Sequence, residues 1–266
     1  MLRSKYSLGP IILFLILAFL MPLLSILLIR NFAAFQSGIL YFILYGFEAA
    51  TPTLSALLVV LIFGRQFTSF IKKCYVENIR VDCIFFAILL PVIVLLAAKL
   101  TYSTFTRDAV FATGISSRKL IVILWALVAE EAGWRGFLQE KLDVYFGNLF
   151  MPLVLGIIWA FWHYHFFLSG SMSVPLVLFT LGCITDSYVY YWITKKSKGN
   201  IIPASLFHFT SNLFFNILLI NPEFNHGSTL PYLLYVIYSF MMAVLVTIWG
   251  ISSTKRQPFT EVHSVK

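Results

Sequence analysis

Long apolar runs, separated by short polar segments, dominate the sequence. A helix that crosses a bilayer needs about 20 mostly apolar residues, and seven runs of comparable length carry few charges or none. An eighth helix is predicted from Lys119 to about Lys141, and it contains several charges. The pattern therefore predicts an all-α protein, a polytopic transmembrane helical bundle of about eight spans. The seven apolar runs are Gly9 to Ile29, Gly38 to Phe63, Cys83 to Ala98, Leu149 to Leu168, Met172 to Thr194, Asn200 to Ile220 and Leu230 to Ser252.

The composition agrees with a membrane protein. Of the 266 residues, 60% are hydrophobic and 11% are charged, which is too apolar for a water-soluble domain of this length. The formal net charge of +8 does not predict a nucleic-acid partner, because the basic residues form short clusters between apolar runs and not one basic face. Cys74, Cys83 and Cys183 are isolated in the sequence, so neither a disulfide framework nor a thiolate metal site is predicted.

Most basic residues fall at one end of the predicted bundle when they are counted outward from each span. By the positive-inside rule that end faces the cytosol, which predicts a multi-pass plasma-membrane protein with both termini in the cytosol. Arg107, Arg118 and Lys119 are exceptions that fall at the opposite end. The aromatic segment 188–192, beside Lys195, is predicted to lie in an interfacial belt. The clustered residues are Arg3, Lys5, Arg65, Lys72, Lys73, Arg80, Arg135, Lys141, Lys195, Lys196, Lys198, Lys255 and Arg256.

Ionisable side chains concentrate in three of the predicted helices. Inside a membrane such groups are costly unless they are paired or face water, so each of them is a candidate functional residue. The first group lies in the string EEAGWR, the second in IIWAFWHYHFF and the third in SLFHFTSN. The residues are Glu130, Glu131 and Arg135, then His163 and His165, then His208 and Asn212.

Helix geometry assigns different environments to the two glutamates of the first group. Glu131 and Arg135 are four residues apart and share a helix face, whereas Glu130 is rotated by about 100°. Arg135 can therefore neutralise Glu131, which leaves Glu130 free to take up and release a proton as a general base. Gly133 and Gly136 lack side chains and would allow a neighbouring helix or a substrate backbone to approach closely.

The third group suits the stabilisation of a developing negative charge. His208 and Asn212 are four residues apart, and both can donate hydrogen bonds to one small target. Such a pair matches the oxyanion that forms when water attacks a peptide carbonyl. His163 would complete the set by holding the water that Glu130 deprotonates, and no serine or cysteine nucleophile is required.

These motifs resemble those of the CPBP family, also called Abi, which includes CAAX prenyl endopeptidases and bacterial proteins tied to bacteriocin processing and self-immunity. The resemblance implies an intramembrane glutamate-type protease in which Glu130 and His163 activate water. His208 and Asn212 would stabilise the oxyanion, and Glu131 and Arg135 would have supporting roles. No cofactor is implied, although two histidines and a glutamate could bind zinc. The motifs are EExxxR at Glu130, Glu131 and Arg135, aromatic-xxx-His ending at His163, and HxxxN at His208 and Asn212.

The second motif can be aligned in two ways. Phe161 and His165 also satisfy aromatic-xxx-His, but the string WAFWHY places His163 after Trp159 in the way that is usual for the family. In a continuous helix the two histidines would point to opposite sides, about 200° apart. Only one of them is therefore expected to face the site, and His163 is preferred. His165 is expected to lie at the membrane interface or to support a residue that faces the site.

The resemblance covers roughly residues 46–220 and gives a division into four segments. Residues 1–45 are predicted to form an N-terminal transmembrane region and residues 46–220 the protease core. Residues 221–254 would form a C-terminal transmembrane helix, and residues 255–266 a cytosolic tail.

Three functions are compatible with the sequence. The favoured one is an intramembrane endopeptidase that cleaves a membrane-associated peptide or protein within the bilayer and is reached from the cytosolic side. One alternative is a non-enzymatic immunity or regulatory protein that binds a peptide, a kinase or an exporter. The other is a transporter that uses the buried glutamates and histidines as a proton relay. Two further acidic residues in apolar runs, Glu48 and Asp186, are expected to make polar contacts between helices.

Overall fold

The computed structural model describes residues 8–64 and 67–255. This part of the chain is all helical and contains no strand, which confirms the predicted fold class. The helices are α1 (Gly9–Asn31), α2 (Gly38–Ile62), α3 (Phe67–Tyr75), α4 (Val81–Thr106), α5 (Ser117–Ala129), α6 (Gln139–Leu142), α7 (Phe150–Trp162), α8 (Tyr164–Leu168), α9 (Leu176–Lys196), α10 (Ile202–Ile217) and α11 (Leu230–Lys255).

Seven helical stretches of the described chain are long and apolar enough to cross a membrane. They coincide with the seven predicted apolar runs, and large apolar side chains are exposed along the outside of the bundle, as lipid-facing helices require. The chain is therefore a multi-pass membrane protein. The stretches are Gly9–Asn31, Gly38–Ile62, Val81–Thr106, Phe150–Leu168, Leu176–Lys196, Ile202–Phe224 and Leu230–Ser252.

The eighth predicted helix is a composite of three pieces. The helix α5 ends at Ala129, a π-helical segment runs from Ala132 to Leu138, and α6 follows directly. At 1.5 Å per residue, the 26 positions from Ser117 to Leu142 extend over roughly 35–40 Å. That length is sufficient to cross the hydrocarbon core of a bilayer.

Contacts between helix ends place the composite helix across the bundle. Near its start, the amide of Ala112 donates to the carbonyl of Ile217 at 2.7 Å. This hydrogen bond joins the loop between α4 and α5 to the end of α10. Near its other end, Glu140 pairs with Lys73 at 2.6 Å. In the described part of the chain, the composite helix therefore runs through the bundle beside the seven apolar helices, and the predicted total of about eight spans stays a prediction.

We call one end of the bundle the basic end, because it carries most of the exposed lysines. Lys195 pairs there with Asp143 at 3.2 Å, and Lys196 with Asp82 at 3.1 Å. The loops 107–116, 169–175 and 218–229 lie at the opposite end. The described members of the basic end are Lys72, Lys73, Arg80, Lys141, Lys195, Lys196 and Lys198; the predicted members Arg3, Lys5, Arg65 and Arg256, with the tail that follows Lys255, lie outside the described residues.

Arg135 and Lys99 are basic residues that lie deep inside the protein. Arg135, which was predicted to lie at the basic end, is buried among aromatic rings at 1% exposure. Lys99 is also buried, and its Nζ donates to Oδ1 of Asn225 at 2.7 Å and to the carbonyl of Leu219 at 3.3 Å. Partners of this kind are what a cation needs in a membrane interior.

The predicted aromatic belt at 188–192 is not observed, because Tyr190, Tyr191 and Trp192 are buried. This part of α9 is covered by neighbouring helices, among them α7 and α11. The apolar pattern places these aromatic residues in a membrane-spanning helix, but it does not show which side of that helix packs against other helices. The rings therefore belong to the core of the bundle.

Helices outside the predicted protease core pack directly against it. Phe14 of α1 contacts Trp134 of the π-helical segment with ring centroids 5.5 Å apart. Tyr235 of α11 donates to Asp186 of α9 at 2.6 Å. The division at residues 45/46, 220/221 and 254/255 stays a prediction, and the described helices share one continuous packing.

Candidate active site

The three sequence motifs meet in the centre of the bundle, where the π-helical segment, α7, α9 and α10 come together. The π-helical segment starts directly after the two glutamates of EEAGWR. A π-helix adds one residue per turn and often marks a functional site. A Cβ at Gly133 would collide with Pro52 of α2, and one at Gly136 would come within 2.8 Å of Sγ of Cys74. Both glycines therefore permit the close approach that the sequence suggested.

Glu131 joins Arg135 and His208 in a buried network. Oε2 of Glu131 lies 3.1 Å from Nη1 of Arg135, and Oε1 lies 2.8 Å from Nδ1 of His208. The guanidinium of Arg135 also packs against the rings of Trp159 and Tyr190, at 4.5 and 3.8 Å from their centroids. Glu131 thus fixes the orientation of the His208 ring, so that Nε2 points away from it.

Glu130 has a different set of partners. Its Oε2 accepts a hydrogen bond from Nε1 of Trp159 at 3.0 Å. Its Oε1 lies 3.9 Å from Nε2 of His208, which is too long for a direct hydrogen bond. One oxygen of Glu130 is therefore held by the protein, whereas the other faces His208 without bonding to it.

A break in the helix positions His163. The helix α7 ends at Trp162, and the amide of His163 donates a hydrogen bond to the carbonyl of Ala160 at 3.2 Å. The carbonyl of Trp159, which loses its helical partner, is bonded instead by Nδ1 of His163 at 2.7 Å. Because a carbonyl can only accept, Nδ1 carries the proton, and in the neutral ring Nε2 is the acceptor.

The expectation that His163 and His165 point to opposite sides is wrong, because it assumed a continuous helix. The two rings are nearly parallel, with an interplanar angle of 9° and centroids 6.4 Å apart. His165 caps the same break, since its Nδ1 bonds the carbonyl of Trp162 at 2.9 Å. Its ring packs on Phe166 and is 1% exposed. Of the two histidines, His163 lines the cavity described next.

A cavity of about 190 Å³ lies against His163, His208 and Asn212. One water molecule needs about 10–15 Å³ of free volume, so the cavity has room for water and for part of a substrate. Its wall continues to Met172 and Asn221, which lie in the loops at the opposite end. This cavity therefore extends towards the end opposite the basic end, and the expectation that the site is reached from the cytosolic side stays a prediction.

The structure adds two aromatic residues to the predicted set. Trp159 bonds Glu130, and Tyr190 covers Arg135; both also line the cavity. Trp159 was visible in the sequence as the aromatic position of the second motif, four residues before His163, but that pattern does not assign it a donor role. Tyr190 had no sequence signal beyond its place in an aromatic cluster.

The two other acidic residues in apolar runs differ in their surroundings. Asp186 lines the cavity and accepts hydrogen bonds from Tyr235 at 2.6 Å and Ser239 at 2.9 Å, both on α11. Its polar contacts between helices are thus those expected. Glu48 is buried in α2, and its Oε1 has no hydrogen-bond partner in the described structure.

A zinc site was left open for Glu130, His163 and His208. Among the described residues, no group of three or more histidine, cysteine, aspartate or glutamate side chains is arranged to hold a metal ion. Both Nδ1 atoms of the two histidines are already bonded to protein acceptors. Metal-bound histidines commonly donate their second ring N–H in this way, so these hydrogen bonds do not distinguish a zinc site from a site for proton transfer.

Comparison with known proteins matches residues 113–214 to a family model described as type II CAAX prenyl endopeptidase, Rce1-like. CAAX prenyl protease 2 of Methanococcus maripaludis is 27% identical over 113 residues, which cover 39% of this chain and 42% of that protein. Lysostaphin resistance protein A of Staphylococcus haemolyticus is 24% identical over 203 residues, which cover 74% of this chain and 54% of that protein. The chain thus spans about half the length of these curated relatives or less.

The segment matched by the family model contains all three motifs, from Glu130 to Asn212. The composite helix, the broken helix and α10 all contribute to it. The comparisons therefore confirm, for the segment that holds the candidate site, the resemblance to the CPBP family that its motifs indicated.

Proposed function

We propose that the chain is an intramembrane endopeptidase that hydrolyses a peptide bond of a membrane-associated peptide or protein, with Glu130 as the general base. The observation that carries the proposal is the meeting of the motifs inside a membrane bundle: His163 and His208 line one cavity, and Oε1 of Glu130 lies 3.9 Å from Nε2 of His208. The similarity to type II CAAX prenyl endopeptidases supports a peptidase activity. The substrate is proposed by class alone.

The geometry suits attack by water. Nε2 of His163 accepts a hydrogen bond from the water, and the unbonded oxygen of Glu130 takes up the water's other proton as the water oxygen bonds to the peptide carbonyl carbon. The carbonyl oxygen becomes an oxyanion. When the tetrahedral intermediate collapses, the carbon–nitrogen bond breaks and Glu130 returns its proton to the leaving nitrogen. The products are a carboxylate and an amine.

The oxyanion would be stabilised by Asn212 and His208. Asn212 and His208 both line the cavity. For Nε2 to donate while Nδ1 donates to Glu131, the His208 ring must be protonated. Charge balance favours that state, because one more positive charge makes the buried cluster neutral. That cluster consists of Glu130, Glu131, Arg135 and His208.

The position of the protein in the cell is part of the proposal. Of the described basic side chains that are not buried, six lie at the basic end and four at the opposite end, so we assign the basic end to the cytosol by the positive-inside rule. The four are Arg30, Arg107, Arg118 and Lys119. Both termini would then be cytosolic, and the membrane would be the plasma membrane. The partners implied are the lipid bilayer and a membrane-associated peptide or protein, with no nucleic acid.

Cleavage of an internally quenched peptide library by detergent-purified protein tests the activity. We expect Glu130→Gln to lower the rate by about a thousandfold, since loss of a general base removes a factor of about 10²–10⁴. The control is Glu140→Gln, which makes the same chemical change at an exposed side chain. A parallel reaction with a strong chelator should keep full activity. Activity in Glu130→Gln equal to that of the control would contradict the proposal, and loss with the chelator would point to zinc.

A second candidate function is a non-enzymatic membrane protein of resistance or immunity. It is favoured by the similarity to a lysostaphin resistance protein, which extends over 74% of this chain. Such a role would not need Glu130 to transfer a proton. Cells that carry Glu130→Gln would then keep the same biological phenotype as the wild type, whereas the endopeptidase predicts that the phenotype is lost.

A further inference from the structure

A second cavity, which we call the lateral groove, lies on the outside of the bundle between α4, α9 and α11. Its volume is about 250 Å³. Cys83 and Trp192 are buried and form its floor, whereas Phe86 and Leu245 on its two sides are exposed. Among the described residues, none lines both this groove and the cavity beside the candidate site. The lateral groove is therefore open to the surroundings of the bundle and separate from the proposed chemistry.

The wall of the lateral groove is apolar along most of its length. Among the described side chains that line it, Lys196 is the only charged one. Along α4 the groove extends from Cys83 to Leu90, a rise of about 10 Å. The hydrocarbon of one leaflet is about 15 Å deep, half of the bilayer core. An apolar groove of this length on the outside of a membrane bundle fits the hydrocarbon chain of a lipid.

The mouth of the groove, at the basic end, carries one positive charge more than it carries negative charges. Nε and Nη2 of Arg80 donate to the two carboxylate oxygens of Asp82 at 2.9 and 2.8 Å. Nζ of Lys196 lies 3.1 Å from Oδ2 of the same carboxylate. Two cations therefore share one anion. Their side chains stay accessible, with exposed fractions of 46% for Arg80 and 27% for Lys196.

This cluster lies at the level where lipid head groups are found. Arg80 directly precedes α4, and Lys196 is the last residue of α9. Nζ of Lys196 is 4.1 Å from the ring centroid of Trp249, which also lines the groove, and tryptophan is enriched at membrane–water interfaces. The two basic side chains have eight N–H groups together, whereas one carboxylate has about four acceptor positions. Donors therefore remain for a second anion.

We propose that the lateral groove binds an anionic phospholipid, whose phosphate lies against Arg80 and Lys196 and whose acyl chain fills the groove. A lipid phosphodiester carries one negative charge, which balances the positive charge left over at the mouth. Basic pockets between helices on the cytoplasmic side of a membrane are known to bind anionic head groups, and the basic end is the one assigned to the cytosol. The inference does not depend on the proposed endopeptidase function.

Native mass spectrometry of the detergent-purified protein tests the lipid preference. Phosphatidylglycerol and phosphatidylcholine with identical acyl chains are titrated separately, since the first has a net charge of −1 and the second is neutral. We expect the wild type to bind phosphatidylglycerol about tenfold more tightly. At a concentration of about a hundred times Kd, phosphatidylglycerol should raise the melting temperature by roughly 5–10 °C. Equal Kd values for the two lipids would overturn the proposal.

Charge variants test the position of the phosphate. Lys196→Gln should raise Kd for phosphatidylglycerol about five- to tenfold and leave Kd for phosphatidylcholine within about twofold. The control is Lys72→Gln, which makes the same change at an exposed lysine of α3 outside the groove. Asp82→Asn should lower Kd for phosphatidylglycerol, a gain that misfolding does not produce. The same Kd for phosphatidylglycerol in Lys196→Gln and Lys72→Gln would overturn the proposal.

A further pair of variants tests the position of the acyl chain. Leu245→Trp fills part of the groove and should raise Kd for both lipids about tenfold. The control is Val244→Trp, because Val244 is also exposed on α11 but points about 100° away from Leu245. Equal Kd values for Leu245→Trp and Val244→Trp would place the acyl chain elsewhere and overturn the proposal. A protein dimer that forms without lipid and dissociates in Leu245→Trp would show that a second copy occupies the groove, and would overturn it as well.

Discussion

Replacement of Glu131 by glutamine should destabilise the protein far more than the same change at an exposed position. Glu131 and Arg135 are each 1% exposed, and their charged atoms are 3.1 Å apart. Glutamine keeps the size of the side chain but removes its charge. Arg135 is then left as a buried cation without a counterion, and Nδ1 of His208 loses its carboxylate acceptor at 2.8 Å.

The magnitude follows from the burial of the pair. Removing one partner of a buried ion pair costs about 3–5 kcal/mol, mainly because the other charge stays buried. That is a large part of the 5–15 kcal/mol by which proteins are typically stable. With a shift of about 2–4 °C per kcal/mol for chains of this size, the melting temperature should fall by roughly 6–20 °C. The double variant Glu131→Gln/Arg135→Met should recover part of the lost stability, because it leaves no buried cation without a counterion.

Thermal unfolding in detergent, followed by tryptophan fluorescence, measures the effect. The control is Glu140→Gln, because Glu140 pairs with Lys73 at 2.6 Å but its side chain is 54% exposed. An exposed pair contributes about 0–1 kcal/mol, so this control should melt within a few degrees of the wild type. Equal melting temperatures for Glu131→Gln and Glu140→Gln would refute the assignment of Glu131 as the buried counterion.

Two further substitutions test the packing of the π-helical segment and the support of the general base. Gly133→Ala should destabilise the protein by about 1–3 kcal/mol in thermal unfolding, because the added Cβ would collide with Pro52; Gly147→Ala, where a Cβ meets open space, should have little effect. Trp159→Phe should lower kcat about tenfold to a hundredfold, since it removes a hydrogen bond of about 1.5–3 kcal/mol to Glu130. An unchanged kcat in Trp159→Phe would show that the indole does not position the base.

The sequence predicted the architecture because a bilayer leaves few alternatives. Each apolar run of sufficient length became a helix, and the composite helix was placed correctly although it carries Glu130, Glu131 and Arg135. The contact between Glu131 and Arg135 was also predicted, because a spacing of four residues brings side chains together on one helix face. These are local properties, and they depend on the period of the helix.

Irregular backbone was the part that helix periodicity could not predict. A regular α-helix was assumed through EEAGWR, where the structure has π-helical backbone, and through WHYH, where α7 stops at Trp162. The second assumption reversed the expected arrangement of His163 and His165. Nothing in the sequence indicates which backbone carbonyls will be freed, because that depends on how α7 and α8 pack against their neighbours.

Both irregular segments place polar groups where a regular helix would not. In a membrane, backbone carbonyls released by a helix break must be bonded by other groups of the protein. At the end of α7 this need is met by Nδ1 of His163 and of His165, and it fixes the proton of His163 away from the cavity. The same hydrogen bond that repairs the backbone thus leaves Nε2 of His163 as an acceptor for water. Stability and chemistry are coupled here, so a residue that replaces His163 must satisfy the carbonyl of Trp159 as well as face the cavity.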